Sequence, residues 1–295
     1  AASYMAGEVK DPGKTLPLGT FLSEASDEPY GAGGTALVLA VAHVVRAFGE
    51  RLRAYKDSTQ TIEQPLTNYE DIVDVVGDPA TKTVFEVRDI TKAQAKLVVG
   101  IADAVRAEPL KHGEKRTLNA AFEAVNDWWK KIPEAAKNIS IYEKKDQPRL
   151  KELRETLNKL GSMDRFDVLL ERLPGIYAGE PVGKDLTEAD AEQYSKGFAA
   201  DVPLFESGLS KVKASVAAAI NPVFGASGDL IECEKAVRKW YEALEANQRD
   251  AYKCEDEDAR ELLKAMADTS TTFDTKICRQ LPQAYGFGPV ENWTS

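Results

Sequence analysis

One stretch constrains the fold more than any other: an apolar run, Ala36–Phe48, which follows the glycine-rich letters GAGG and precedes Gly49. The run is shorter than the about 20 residues that a helix needs to cross a bilayer, and it carries His43 and Arg46. Apolar side chains would cover most of the circumference of a helix here, and helices of that kind are buried. The run therefore predicts a core helix with Thr35 as its N-cap and Gly49 as its C-terminal stop.

The glycines before this run also fit a loose dinucleotide-binding pattern, GxGxxA, through Gly31, Gly33 and Ala36. That chemistry needs a hydrophobic strand that leads into the loop, so that the helix amides face the pyrophosphate. The preceding residues, FLSEASDEPY, are acidic and do not predict such a strand. No lysine follows the glycines, as a Walker A loop would require. The sequence therefore predicts a turn at GAGG, and we expect no cofactor.

The composition is that of a globular protein with room for two domains. The chain has 295 residues and a formal net charge of -10, and domains usually run about 100 to 200 residues. So negative a chain is a poor general binder of nucleic acid. The cysteines Cys233, Cys254 and Cys278 are widely spaced without a CxxC pair, which argues against a disulfide framework or a zinc site. We expect a protein of the reducing cytoplasm that has no membrane contact.

The N-terminal third of the chain mixes helix and strand patterns. RLRAYKD and TVFEVRDI alternate apolar and polar side chains, and each predicts a short strand. Asn68 predicts the N-cap of a helix over residues 69–76, and a shorter helix is expected over 16–24. With the Ala36–Phe48 helix, these elements predict a winged-helix-like domain.

From Thr91 onward nearly every segment has helical periodicity. Helices are predicted over 91–107, 117–132, 147–160, 163–173, 189–219, 229–246 and 255–268. Gly197, Pro203 and Gly208 should divide the stretch 189–219 into two or three helices. No period of about 20 to 50 residues repeats, which argues against a solenoid. The predicted fold class is mainly α (α+β): a winged-helix-like domain with two short strands over residues 1–107, followed by an all-helical domain over 108–295.

No catalytic or metal-binding constellation is evident in the sequence. His43 and His112 have no cysteine or carboxylate partner at ligand spacing, and no GxSxG or HExxH motif is present. The acidic letters CEDEDARE are typical of a helix N-terminus, and they lack the central glycine of a calcium loop. We therefore expect no catalytic residue, no metal ligand and no enzyme activity. An independent helical enzyme, whose pocket the sequence does not reveal, stays open as an alternative.

A local basic surface remains as a candidate nucleic-acid interface. A recognition helix needs a polar, basic face, and Ala36–Phe48 offers only His43 and Arg46. A wing could contact phosphate through basic residues beside the first strand, and tryptophans beside lysines could stack on bases. The candidate residues are Arg51, Arg53 and Lys56 at the strand, and Lys130 and Lys131, which follow Trp128 and Trp129. The alternatives are a solvated strand edge and, for the tryptophans, one ring buried in a helical core with the other at an interface with a partner.

Several stretches, taken in their order along the chain, resemble a known family. They are EPYGAGGTALVLAVAHVVRAFGERLRAYKD, TVFEVRDI, WWKKIPEAAKNIS with the later FDVLLERLPGIYAG, and LPQAYGFGPVENWTS. They are similar to the C-terminal, non-ATPase portion of very large P-loop ATPases of bacterial anti-phage systems, of the phage growth limitation and bacteriophage exclusion type.

The resemblance implies a winged helix and a helical bundle that form a non-catalytic accessory module. Its partners would be the rest of a larger ATPase or other subunits of the defence complex. The family's ATP-binding motifs would lie upstream, and none of them is in this sequence, so no catalytic residue is carried over. The family context also suggests DNA, and a DNA-contacting winged-helix accessory domain is the alternative function.

Overall fold

The structure is a computed structural model that describes the chain except residues 1, 12, 28–30, 61–63, 65, 67, 79, 107–117, 181, 183–184 and 295. It is mainly helical and contains a small antiparallel sheet. The first of two compact units comprises Ala1–Trp128 and Glu152–Ala199, and the second comprises Trp129–Lys151 and Ala200–Ser295. The predicted domain boundary between residues 107 and 108 lies outside the described residues and stays a prediction.

The sheet of the first unit has three short strands with helices between them. In chain order the elements are α1 (Ala2–Val9), β1 (Thr15–Pro17), α2 (Leu18–Ser26), α3 (Gly34–Phe48), β2 (Leu52–Tyr55), α4 (Tyr69–Gly77) and β3 (Val84–Val87). The strands pair antiparallel in the order β1-β3-β2. Both predicted strands are confirmed as β2 and β3, whereas β1 was missed because three residues that end in proline carry almost no strand signal.

The pairing of β2 with β3 separates an apolar face of the sheet from a polar one. Ala54 lies opposite Phe85, and both side chains join the core formed with α1, α2, α3 and α4. Arg53 lies opposite Glu86 on the other face. Because side chains alternate along a strand, one face packs against apolar helices while the other brings two opposite charges together. Both charged residues are buried.

Helix α3 confirms the expected end of the apolar run and corrects its start. Gly49 follows the helix with φ 54°, a backbone angle that favours glycine, whereas the N-cap is Gly33 instead of Thr35. The expected burial on all sides is wrong, because α1 and α4 pack on α3 and leave another side open. Leu39 is 62% exposed, and Ala36 and His43 are exposed beside it at helical spacing.

Two other helices begin where the sequence predicts, because the residues that cap them are close to the first helical turn in the sequence. Asn68 accepts a hydrogen bond from the Asp71 N–H, and Asp71 accepts one from the Asn68 N–H, which together form a capping box. Thr91 and Gln94 form the same arrangement at the start of α5 (Lys92–Val105). Each box satisfies two backbone donors that the first helical turn leaves without an intrahelical partner.

The remaining described elements are almost all helical. They are α6 (Leu118–Lys131), α7 (Gln147–Leu157), α8 (Leu173–Ala178), α9 (Glu188–Glu206), α10 (Gly208–Ile220), α11 (Leu230–Ala243), α12 (Glu257–Ala267), α13 (Phe273–Thr275) and α14 (Leu281–Ala284), with short 3-10 turns between several of them. The predicted division of residues 189–219 is confirmed as two helices, α9 and α10. Helix α9 continues through Gly197 and Pro203, and the break falls before Gly208.

Two parts of the chain repeat one order of elements. The two copies are much further apart along the chain than the repeats of a solenoid. Helices α6 and α7 precede a Phe-Asp…Leu-Pro…Tyr…Pro-Val sequence over residues 166–182, and α11 and α12 precede another over 273–290. We call these segments the first and the second Leu-Pro motif. The shared residues are Phe166, Asp167, Leu173, Pro174, Tyr177, Pro181 and Val182 in the first, and Phe273, Asp274, Leu281, Pro282, Tyr285, Pro289 and Val290 in the second.

Both motifs contain a π turn immediately before Leu-Pro. The N–H of Leu173 donates to the Val168 carbonyl, and the N–H of Leu281 donates to the Lys276 carbonyl, so each bond spans five residues. A proline inside a helix has no N–H, and its ring clashes with the carbonyl four residues earlier. The wider π turn falls where that clash would occur, which explains why the helix runs on to Ala178 instead of ending near residue 173 as predicted.

Candidate functional site

The structure places the basic residues of the predicted nucleic-acid surface in different surroundings. Lys56 is exposed in the first unit, and Lys130 and Lys131 are exposed at the end of α6 in the second unit. Arg51 is about half exposed, and its guanidinium pairs with the Asp89 carboxylate at 2.5 Å. These four residues stay candidates for phosphate contact, although the ion pair neutralises Arg51.

Arg53 does not belong to that surface. It is 1% exposed and forms an ion pair with Asp164, because the face of β2 that carries it is covered. A buried guanidinium that is held by a buried carboxylate has no surface to offer to a phosphate. For Arg53 the prediction of a nucleic-acid contact is wrong.

The two tryptophans beside Lys130 are buried and do not form a stacking platform for bases. Trp128 is 6% exposed and packs edge-on against Phe198, with the ring centroids 6.0 Å apart. Trp129 is 4% exposed and packs edge-on against Phe205 at 5.2 Å. Edge-to-face packing of this kind stabilises a core. The expected burial of one ring is thus met by both, and neither tryptophan is exposed as an interface residue would be.

The glycine turn before α3 lies between two helices, α2 and α3. Helix α2, not a strand, precedes it, as the acidic sequence indicated, and Gly31 has φ 51°. His43 is exposed on α3, and His112 lies outside the described residues. Within the described part of the chain, no group of three or more potential ligand side chains could hold a metal ion.

The most distinctive polar cluster centres on Asp164, just before the first Leu-Pro motif. Its carboxylate accepts hydrogen bonds from the Tyr55 hydroxyl at 2.6 Å and from the Phe166 N–H at 2.7 Å. It also pairs with Arg53, whose guanidinium carbon lies 4.2 Å from the centroid of the Phe166 ring. Burial raises the pKa of Tyr55, against the opposing charges of Arg88 and Arg53, which keeps its hydroxyl protonated as a donor. Asp164 thus holds the start of the motif's helix against β2.

A second charged pair continues this cluster along β3. The Glu86 carboxylate accepts a hydrogen bond from Arg88 Nε at 3.1 Å, and the Arg88 guanidinium lies 5.8 Å from the Phe166 ring centroid. Glu86 is 7% exposed, which is unusual for a carboxylate. Burial of a charge is costly unless the charge is paired. The hydrogen bond from Arg88 and the positive charge of the neighbouring Arg53 therefore stabilise the buried Glu86 carboxylate.

A cavity of about 490 Å³ lies next to Glu86 and Arg88 in the first unit. Gly13 and the residues around the end of β3 and the start of α5 form one wall, and the first Leu-Pro motif forms the other. The side chains on the first wall are polar. The second wall is apolar except for one carboxylate. The cavity is lined by Gly13, Glu86, Arg88, Asp89, Thr91, Gln94, Phe166, Leu170, Glu171 and Val182.

The electrostatics of the cavity are dominated by carboxylates. Glu86, Asp89 and Glu171 oppose the single guanidinium of Arg88. Desolvation of Glu171 raises its pKa, the neighbouring carboxyl of Asp167 adds to that shift, and Arg88 is among the groups that oppose it. The described lining residues combine charged side chains with an apolar wall, which is typical of a binding site.

Comparisons with protein-family models, with curated proteins and with solved structures gave no match. The resemblance to the anti-phage ATPases therefore stays a prediction. Sequence reasoning missed the cavity, because its two walls come from distant parts of the chain: Glu86 on one wall and Phe166 on the other are 80 positions apart. One signal was present: Arg53 and Glu86 are opposite charges at facing positions of two predicted strands.

Proposed function

We propose that the chain is a non-catalytic interaction module of a larger anti-phage defence ATPase, which packs on the ATPase or on partner subunits in the cytoplasm. The proposal rests on the ordered resemblance of its motifs and on the exposed apolar side of α3. No described helix is long and apolar enough to span a bilayer, which agrees with a partner other than a membrane.

The arrangement of the sheet supports a winged-helix-like domain as part of this proposal. A winged helix has three helices, its first strand after the first helix, and a sheet in the order β1-β3-β2. The order α1-β1-α2-α3-β2-β3 and the observed sheet order agree with it, and α4 lies where the wing would connect β2 to β3. In that comparison, α3 occupies the position of the recognition helix.

The exposed side of α3 is the observation that carries the proposal. Leu39 is 62% exposed, and Ala36 and Ala47 are exposed near it on the same helix. Arg46 and His43 are the exposed basic residues of α3. The helix therefore presents few of the hydrogen-bond donors with which a recognition helix reads bases in the major groove. An apolar surface at this position favours contact with a protein.

The contact is tested by co-purification with the P-loop ATPase region of the same defence system. We expect Leu39→Asp to abolish co-purification while the chain keeps its thermal unfolding midpoint, because Leu39 is exposed. Val223→Asp is the matched control, since Val223 is 77% exposed in the second unit. Equal retention of the ATPase by the wild type and Leu39→Asp would contradict the proposed surface.

The absence of catalysis is tested on the isolated chain. We expect ATP hydrolysis at background level, because the glycine turn follows a helix and lacks a Walker lysine. Turnover that is lost on changing Gly31 or Gly33 to alanine would overturn this part of the proposal.

The DNA-contacting alternative is favoured by the exposure of Lys56, Lys130 and Lys131. If this alternative holds, duplex or single-stranded DNA binds the chain at low salt concentration and is released as the salt concentration rises. Gel shifts with the wild type and with Lys130→Gln/Lys131→Gln separate the two functions. The absence of a shifted complex at low salt rules the alternative out.

A further inference from the structure

The second Leu-Pro motif closes into an apolar core. Phe273, Ile277, Cys278, Leu281 and Val290 are all at most 9% exposed and pack in one cluster. Val290, the last residue of the motif, is fully buried. The apolar side chains of the second motif therefore pack tightly within this cluster.

The first motif uses the equivalent residues to form one wall of the cavity. Phe166 and Leu170 are buried, but Val182, which corresponds to Val290, is only partly buried. All three line the cavity together with Glu171. The equivalent residues of the second motif are buried in an apolar core. The cavity beside the first motif therefore depends on the residues around that motif and not on the motif itself. A volume of this size is within the range of small-molecule sites.

The charges of the lining indicate which ligand would fit. Arg88 is already paired with Glu86, and Arg51 with Asp89. Glu171 adds a further carboxylate at the wall. With Arg51 included, the described residues at the cavity carry three carboxylates and two guanidinium groups, so a positive charge improves their electrostatic balance and a further negative charge worsens it.

We propose that this cavity binds a small organic cation that carries a primary ammonium or guanidinium group on an alkyl chain. The cationic group contacts Glu171, the carboxylate of the described lining that belongs to neither of those two ion pairs, and the alkyl chain lies against Phe166, Leu170 and Val182. Charge-assisted hydrogen bonds orient the cation, and apolar contact holds the chain. The site is separate from the α3 surface of the proposed function and does not depend on it.

The test is calorimetric titration of the whole chain with spermidine and with agmatine, which carry these groups. We expect one site for each. Glu171→Gln removes a charge with little change in volume and should weaken binding about tenfold, the loss typical of one charge-assisted hydrogen bond. Val182→Phe adds bulk to the apolar wall without changing the charge and should weaken binding.

Two controls separate the cavity from general attraction to a negative chain. Glu242→Gln removes an exposed carboxylate of α11 in the second unit and should leave the affinity unchanged. Glutarate, a dicarboxylate of similar size, should not bind. The proposal is overturned if neither cation binds at millimolar concentration, or if folded Val182→Phe and Glu171→Gln bind as well as the wild type. Should Val182→Phe fail to fold, the Glu171→Gln titration decides.

Discussion

The two Leu-Pro motifs share a local structure and differ in what surrounds it. Each has a π turn before Leu-Pro, and a glycine with positive φ soon after the tyrosine, Gly179 in the first and Gly286 in the second. The first motif lies beside the charged face of a sheet and lines a cavity, whereas the second closes into an apolar core. The comparison shows that the motif specifies a helix with a widened turn, while its neighbours decide what packs around that turn.

Individual positions show how the difference arises. Counted back from Leu-Pro, Val168 corresponds to Lys276, and both are buried. The residue that caps the start of the motif's helix is Asp164 in the first motif and Thr272 in the second. Asp164 also connects to β2 through Tyr55, whereas the hydrogen bonds described for Thr272 are local. The ion pair at the start of the first motif is thus buried, whereas the ion pairs of the second motif, Asp274 with Lys213 and Arg279 with Glu291, are partly exposed.

The largest expected effect comes from removing the charged anchor. Asp164→Ala removes the buried carboxylate that pairs with Arg53 and accepts the hydrogen bond of Tyr55, and we expect a loss of about 3–5 kcal/mol in the free energy of unfolding. Thr272→Ala removes only an N-cap and should cost about 1 kcal/mol. Urea denaturation followed by circular dichroism measures both. Equal losses in the two variants would contradict the proposed difference in anchoring.

A smaller effect is expected from the packing of the motif tyrosines. A Cβ at Gly197 would lie 2.6 Å from Cδ1 of the Tyr177 ring, whereas Tyr285 is 38% exposed. Gly197→Ala should therefore cost about 1–3 kcal/mol through overpacking. Gly288→Ala, in the second motif, meets no atom within 4 Å and should change stability by less than about 0.5 kcal/mol. Thermal denaturation of the two variants provides the measurement, and an unaffected Gly197→Ala would refute the close packing.

The smallest effect concerns the buried ammonium of Lys276, which donates a hydrogen bond to the Asp268 carbonyl. Desolvation lowers the pKa of Lys276 below its usual 10.5. Between the lowered pKa and 10.5, the unfolded chain binds a proton that the folded chain does not, so this group makes stability rise with pH in that window. We expect the stability of the wild type relative to Lys276→Met to increase as the pH approaches 10.5.

That comparison is made by urea denaturation at several pH values between 8 and 10.5. Ile277→Met, at the neighbouring buried position, adds no titratable group and should keep a constant difference from the wild type. A constant difference for Lys276→Met as well would contradict the depressed pKa.

Local signals accounted for much of the fold. The caps at Asn68 and Thr91, the stop at Gly49 and both longer strands followed from side chains that contact their own backbone neighbourhood. The helix of the second Leu-Pro motif was missed, because Pro282 and the glycines after it are typical helix breakers. The winged-helix-like arrangement and the interaction function stay predictions.

The candidate site could not be predicted in the same way. Asp164 meets Arg53 and Tyr55 across more than a hundred residues, and neither the charge nor its spacing reveals a partner at that separation. Likewise, the face of α3 that carries Leu39 looked buried, because the sequence shows that a helix is apolar but not how many neighbours cover it.

The sequence by itself determined the elements: their caps, their glycine stops and the repeated Leu-Pro order, because these depend on contacts within a few residues. Only the tertiary structure decided which faces were covered, that Arg53 and Glu86 were buried, and what packed around each of the two similar motifs. The physical reason is that burial and the pairing of charges depend on the whole set of neighbours in space, which a local pattern does not specify.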